Sequence, residues 1–170
     1  MGKEPFLPRT EKNILPVLIP HRDTALQSEL MSLWEASVRK THDFLSETAL
    51  QSLKPMVLQG ICQIHDLFVI KDENAAVLAF MGTAGDKIEM LFVDPRSRGM
   101  DIGKALVFHA IENLGARHVD VNEQNPQAIG FYQHCGFRVT SRSALDDQGN
   151  PYPILHMVWD QGYLQKRSSP

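Results

Sequence analysis

The sequence predicts an α/β (α+β) protein: one mixed sheet of six or seven strands, with an antiparallel N-terminal meander, a parallel central pair and about four helices. Three observations predict it. Three strand-like runs between Leu67 and Asp94 are joined by short turns, as in a meander. A helix-period segment, Gly103 to Leu114, then separates two strand-like runs, so those two strands lie parallel with a right-handed crossover. Last, Phe137 to Ser143 and Ile154 to Trp159 flank the turn-rich Asp146-Asp147-Gln148-Gly149-Asn150, which makes a closing hairpin.

The elements follow in chain order. Asn13 to Pro20 carries an apolar run interrupted by Pro16, which limits it to an edge strand. Thr24 to Lys40 is a helix, because Leu26, Leu30 and Leu33 share a face beside Trp34. Ser46 can cap a second helix reaching Leu58, with Pro55 limiting its far end. Strands are expected at Leu67 to Ile70, Ala76 to Met81 and Lys87 to Asp94, with a turn over Gly82 to Asp86. After the Gly103–Leu114 helix, Gly115 suits a C-terminal cap. His118 to Asn122 is a strand. Asn125 caps a short helix, Pro126 to Cys135, with Pro126 at its first position and Gly136 just past its end. Residues 1–13 form a flexible start, 14–160 a single domain, and 161–170 a loose polar tail.

The 170 residues suit one domain with its own core. Apolar residues are 43% and charged residues 22%, a globular balance. A net charge of −3 excludes broad electrostatic binding to nucleic acid or to an anionic membrane surface, but allows a local basic pocket. No apolar run approaches the ~20 residues of a membrane span. Gly2 follows Met1, but Phe6 stands where a myristoylation signal needs Ser or Thr. The two cysteines, Cys62 and Cys135, are too few for a disulfide framework. A cytoplasmic protein is expected.

The loop Val93-Asp94-Pro95-Arg96-Ser97-Arg98-Gly99-Met100-Asp101-Ile102-Gly103-Lys104 carries the chemistry. A strand ends, a glycine-containing loop turns and a helix begins. Helix starts offer unpaired amides and partial positive charge, and Arg98 and Lys104 add full charges. A phosphate or pyrophosphate fits there; an ordinary strand–helix turn is the plainer reading. The dinucleotide fingerprint fails for want of its three spaced glycines, and the triphosphatase loop fails because Ala105 follows Gly103-Lys104.

Arg98-Gly99-Met100-Asp101-Ile102-Gly103 resembles the cofactor loop of the GNAT acetyltransferase superfamily: Arg or Gln, two residues, Gly, one residue, Gly or Ala. Asn125, Ala128, Tyr132, Gly136 and Phe137 are similar to its later segment, and Ile88 to Pro95 to its preceding strand. The resemblance covers about Ala25 to Trp159. Thr41-His42-Asp43-Phe44-Leu45, Val121 to Asn125 and Pro151-Tyr152-Pro153 look like a bacterial subgroup of small members.

The resemblance implies a GNAT-like fold whose two central strands splay apart. It also implies acetyl-CoA as cosubstrate and direct transfer of acetyl to a primary amine of a small molecule or peptide. Leu91, Phe92 and Val93 would pair with the pantetheine arm. Arg98, Gly99, Met100, Asp101, Ile102, Gly103 and Lys104 would take the pyrophosphate, with Asn125 also at the cofactor. Tyr132 matches the family's general acid, since a phenol with a pKa near ~10 donates to a thiolate while neutral; a packed core tyrosine is its plainer reading.

Asp101 departs from the family's usual glycine. It lacks glycine's backbone freedom, and its carboxylate can cap its own helix and occupy the amides a phosphate needs. This keeps a second reading open, an acetyl-CoA-binding sensor or interaction module with little transfer activity. A nucleotide-binding protein of another fold rests on the loop alone.

Four further expectations concern the acceptor and metals. His42 is a base or acceptor contact, or else a helix C-terminal histidine. Asn122 bonds acetyl or acceptor, or else pairs between strands. Glu89 is read as a surface carboxylate. Cys62-Gln63-Ile64-His65 and His134-Cys135 lack zinc spacing, so no metal is expected. Trp34, Phe44 and Trp159 are read as core. The sequence does not identify the acceptor, and a homodimer is left open.

Overall fold

The computed structural model describes residues 14–168; the expected flexible start at residues 1–13 lies outside the described residues. A seven-stranded sheet has the order β1-β2-β3-β4-β5-β7-β6, and every neighbouring pair is antiparallel except β4 and β5. The strands are β1 (Val17–Leu18), β2 (Asp66–Lys71), β3 (Val77–Ala84), β4 (Lys87–Val93), β5 (His118–Asn122), β6 (Phe137–Ser143) and β7 (Ile154–Trp159). The described helices are α1 (Thr24–Thr41), α2 (Glu47–Gln63), α3 (Ile102–Leu114), α4 (Pro126–His134) and α5 (Gln161–Ser168). Among the described residues no helix is long and apolar enough to cross a membrane.

Two cores lie on the two sheet faces. Ile102, Leu106, Val107 and Ala110 of α3 pack with Ile88, Val119, Val121, Phe137 and Met157 of the strands. On the other face, Leu30, Leu33 and Trp34 of α1 and Leu50 and Ile61 of α2 cover Leu67, Val69 and Phe80. Asp23 and Ser46 cap α1 and α2 by accepting from the amides of Leu26 and Ala49. Gly115 closes α3 in the left-handed conformation, φ 71°.

Four expectations are corrected. The second helix does not stop at Leu58 but continues through Pro55 to Gln63. Proline removes one bond, to the exposed Gln51 carbonyl where water can serve. Meanwhile Leu50, Leu53, Val57, Ile61 and Ile64 carry an unbroken apolar stripe along the sheet. Gly82 does not open a turn but lies inside β3. A Cβ there would stand 2.7 Å from Met90 Cγ, so close strand packing is what requires the glycine. The tail expected to be loose forms α5, whose first amides, of Gly162 and Tyr163, donate to the Asp160 carboxylate at 3.0 and 3.3 Å. Phe44 is also not core: it is half-buried in the α1–α2 loop. Trp34 is buried, and Trp159 is half-buried with its ring 5.0 Å from the Arg117 guanidinium.

Leu30 is fully buried. Leu30→Ala is expected to lower the free energy of unfolding by about 2–5 kcal/mol in a denaturant titration, the usual cost of an uncollapsed core cavity.

Candidate active site

The central parallel strands pair at only two positions, Lys87 with His118 and Ile88 with Val119. Beyond them β4 diverges. Its pairing with β3 shifts register: Ile88 faces Thr83 and Met90 faces Gly82, so Glu89 is an extra residue on β4. Such a bulge bends a strand and sharpens its twist. The remainder of β4 keeps β3 on one side and leaves the edge toward β5 without a strand partner. Leu91, Phe92 and Val93 on that edge line a cleft of about 660 Å³.

One end of the cleft is the helix start. Gly99 has φ 77° and Asp101 φ 58°, so two of three consecutive residues are left-handed and wrap the chain into α3. Asp101 occupies the N-cap, but its side chain makes no cap hydrogen bond. The expected self-capping by this carboxylate does not occur, because the left-handed backbone carries the side chain away from the first-turn amides. Those amides remain available. Arg98 and Lys104 both line the cleft, and neither forms a salt bridge among the described residues. Arg98 instead donates to the Gln127 side chain at 3.2 Å. A Cβ at Gly103 would meet Phe131 and Val93 at 3.3 Å, so glycine lets α3 begin close against both.

The far wall is α4. Asn125 is buried and accepts from the Ala128 amide at 3.1 Å, fixing the start of the helix. One turn later stands Tyr132, with Phe131 and Phe137 edge-on to its ring at 5.1 and 5.5 Å. The residue is 7% exposed, and its hydroxyl has no hydrogen-bond partner among the described residues yet is not sealed from solvent. Burial, and after it the neighbouring Cys135 thiol, push the phenol pKa up, so the group holds its proton. Burial pushes the Cys135 thiol itself up to about 11, opposed by Lys104. Tyr132 is therefore a neutral donor in an apolar wall.

The α1–α2 loop supplies His42 to the same cleft. Thr41 donates its one hydroxyl hydrogen to the Ser37 carbonyl at 2.9 Å. The 2.8 Å contact between Thr41 Oγ1 and His42 Nδ1 then requires Nδ1 to donate, which leaves Nε2 as an acceptor. Burial, then the Arg98 cation, hold the imidazole below its ordinary range, against the smaller pull of Asp43. The Phe44 ring packs at a 53° tilt beside His42 and beside Tyr152 of the β6–β7 loop, with ring centroids 5.2 and 6.1 Å away.

The family follows from comparison. Residues 63–139 match the acetyltransferase (GNAT) domain. The chain is 40% identical over 131 residues to the peptidyl-lysine N-acetyltransferases YjaB of Salmonella typhimurium and Escherichia coli, covering 77% of this chain and 90% and 88% of theirs. The chain belongs to the GNAT acetyltransferase family. It is an acetyltransferase, and its fold matches the solution structure of apo YjaB from Escherichia coli with a TM-score of 0.77 at 37% identity, over 86% of this chain and 98% of that one.

Within this GNAT fold, twelve of the fourteen residues singled out from the sequence line one cleft: Leu91, Phe92, Val93, Arg98, Gly99, Asp101, Ile102, Gly103, Lys104, Asn125, Tyr132 and His42. Met100 does not; it is 37% exposed on the outer side of the loop. Asn122 does not either. Its side-chain oxygen accepts from the Gln124 amide at 2.8 Å and closes a turn, which is its local role. Ser37, Thr41, Phe131 and Cys135 also line the cleft and were not anticipated. Thr41 and Ser37 follow from the loop that holds His42. Phe131 carries no signal beyond its place next to Tyr132.

His42 is expected to titrate below the ordinary histidine value of ~6.5, which ring chemical shifts against pH will read. The unfolded chain then takes up this proton first, so this group lowers stability as pH falls through that window and not above it. A midpoint at or above the ordinary value would contradict the burial and the Arg98 field.

Proposed function

We propose that the protein uses acetyl-CoA as cosubstrate and transfers acetyl directly to a primary amine, with the side-chain amine of a peptide lysine as the favoured acceptor. The observation that carries the reading is the uncapped helix start at Asp101–Gly103, flanked by Arg98 and Lys104, in one cleft with the open edge of β4 and the Tyr132 hydroxyl. The lysine acceptor is supported by the YjaB relatives, which are peptidyl-lysine N-acetyltransferases.

The residues fit the cosubstrate by its chemistry. Amides of Ile102 and Gly103, with the α3 dipole and the two cations, bind the pyrophosphate dianion. Backbone groups of Leu91, Phe92 and Val93 bond the pantetheine amides as an added strand would. His42 accepts a hydrogen bond from the acceptor amine at Nε2 and orients it. The amine nitrogen attacks the thioester carbonyl carbon, the C–S bond breaks, and Tyr132 gives its proton to the departing thiolate. A phenol that stays protonated in an apolar wall is suited to that last step. The same Tyr132 favours transfer over a sensor role, which would not need a donor there.

Tyr132→Phe removes only the donor. It is expected to lower kcat by about 10²–10⁴-fold, the usual worth of general acid catalysis, with acetyl-CoA affinity held. Thiol release in the presence of a lysine peptide measures the first and calorimetry the second. Full activity in the variant would remove Tyr132 from the chemistry.

Asp101 still sets a charge beside the phosphate site. At an effective dielectric near 20, a carboxylate ~5 Å from a phosphate charge costs about 3 kcal/mol as an upper bound. Asp101→Gly and Asp101→Asn are both expected to bind acetyl-CoA more tightly than the native chain. Asparagine tolerates the left-handed backbone, so a gain shared by both variants assigns the effect to charge. Equal or weaker binding in both would show that the carboxylate points away.

A further inference from the structure

On the sheet face covered by α1 and α2, four adjacent strands each contribute one side chain to a continuous row. Lys87 Nζ of β4 lies 2.8 Å from Asp120 Oδ2 of β5. Asp120 Oδ1 lies 2.7 Å from His156 Nδ1 of β7, and His156 Nε2 lies 2.7 Å from Ser143 Oγ of β6. Asp120 is on this face because its neighbours Val119 and Val121 both point into the α3 core. It is also the first β5 residue beyond the last rung shared with β4, so the row starts at the fork of the sheet. A cavity of about 220 Å³ adjoins it, between Leu53 of α2 and the β6–β7 loop, with Asp120 in its wall.

We propose that Ser143, His156 and Asp120 form the relay that removes the proton from the acceptor amine, with His156 holding it. The inference rests on the transferase reading above and names the base that reading leaves open.

The hydrogen-bond arithmetic supports it. The Asp120 carboxylate requires Nδ1 of His156 to donate, so neutral His156 turns its Nε2 lone pair to the Ser143 hydroxyl. When a proton arrives at Nε2, both ring nitrogens donate, one to Asp120 and one to Ser143. Only the hydroxyl hydrogen has to turn. Every group keeps a partner in both states. The side chains of Lys87, Asp120 and His156 are 29%, 27% and 32% exposed, neither sealed as core nor freely solvated. Burial and then the Arg98 cation oppose the charging of His42, whereas the His156 ring lies 2.7 Å from the Asp120 carboxylate.

The charges around the row are Lys87 and Glu89 on β4, Asp120 on β5, and Asp146 and Asp147 in the β6–β7 loop. From α2 the cavity receives Leu53 alone. Arg142, next to Ser143, is occupied by Glu123.

The step balances as follows. The ammonium gives one proton to Ser143 Oγ while Ser143 gives its own to His156 Nε2. The neutral amine forms the N–C bond, the C–S bond breaks, the thiolate takes the Tyr132 proton, and the nitrogen, cationic after attack, loses its second proton to water. His156 then returns its proton to water, and Tyr132 is reprotonated from water. The net products are the acetamide, the thiol and one proton.

The test is the pH dependence of kcat/KM with acetyl-CoA and an Nα-blocked lysine peptide. Wild type is expected to reach a plateau. His156→Gln can still bond Asp120 and Ser143 but cannot hold a proton. It is expected to lose about 10²-fold at pH 7 and to climb about tenfold per pH unit toward the lysine value of ~10.4, so that the deficit closes. Ser143→Ala should show the same shape with a smaller loss, and Ser143→Thr should restore the wild-type profile. Equal melting temperatures and acetyl-CoA affinities exclude a folding defect. A His156→Gln profile parallel to wild type would overturn the relay and leave the transferase intact. So would an acetyl group found on Ser143 after incubation with acetyl-CoA alone, since the serine would then be a nucleophile. A wild type inert toward amines would defeat the transferase reading and the relay together.

Discussion

Everything at this site depends on one steric relation, the fit of Met90 over Gly82. Met90 lies so close to the glycine that no Cβ is admitted at 82. That packing accompanies the extra residue at Glu89, where β4 loses register with β3 and turns out of the sheet. Had β4 stayed straight, its edge would have been consumed by β5 along its full length, as parallel strands normally are. Instead two rungs hold the sheet together below and a cleft opens above. The backbone groups exposed there are strong donors and acceptors that call for a partner. A ligand with spaced amides answers that requirement in the way a neighbouring strand would.

The two sides of the cleft are electrostatically different. At the α3 end there are uncapped amides and two cations, a field that suits a multiply charged anion. Across the fork, on the α1 and α2 side, the charges are mostly carboxylates, with Lys87 already held by Asp120 and Glu89. On the proposed reading, the anionic cosubstrate would take the α3 end and a cationic acceptor the carboxylate side. Direct transfer needs this, because both reactants must be present at once and neither should compete for the other's position.

Most of the architecture was legible because period and punctuation agreed. The capping residues Ser46, Asn125 and Gly115, the α3 crossover and the closing hairpin stand where pattern places them. Two of the failures share a cause, a local rule outweighed by packing, and a third is a local cap. Pro55 should end a helix, yet the apolar stripe from Leu50 to Ile64 carries α2 past it. Gly82 looks like a turn residue, yet it serves a contact with Met90 that only the folded sheet creates. The tail lacks an apolar face, yet Asp160 supplies the donors' partner and α5 forms. At the site, the residues contiguous in sequence were readable from the loop and the α4 segment. The row from Lys87 to Ser143 was not. Its members lie on four strands from residue 87 to residue 156, and no spacing rule joins them. Asn122 failed for the opposite reason, since its own turn uses the side chain first.

The meeting of Phe44 with Tyr152 has an evolutionary consequence. Two segments far apart in the chain, one after α1 and one before β7, meet in this aromatic contact. Neither can change length or shape alone without breaking it. A chimera that exchanges only one of the two segments would therefore lose the contact, and a change in either has to be matched in the other.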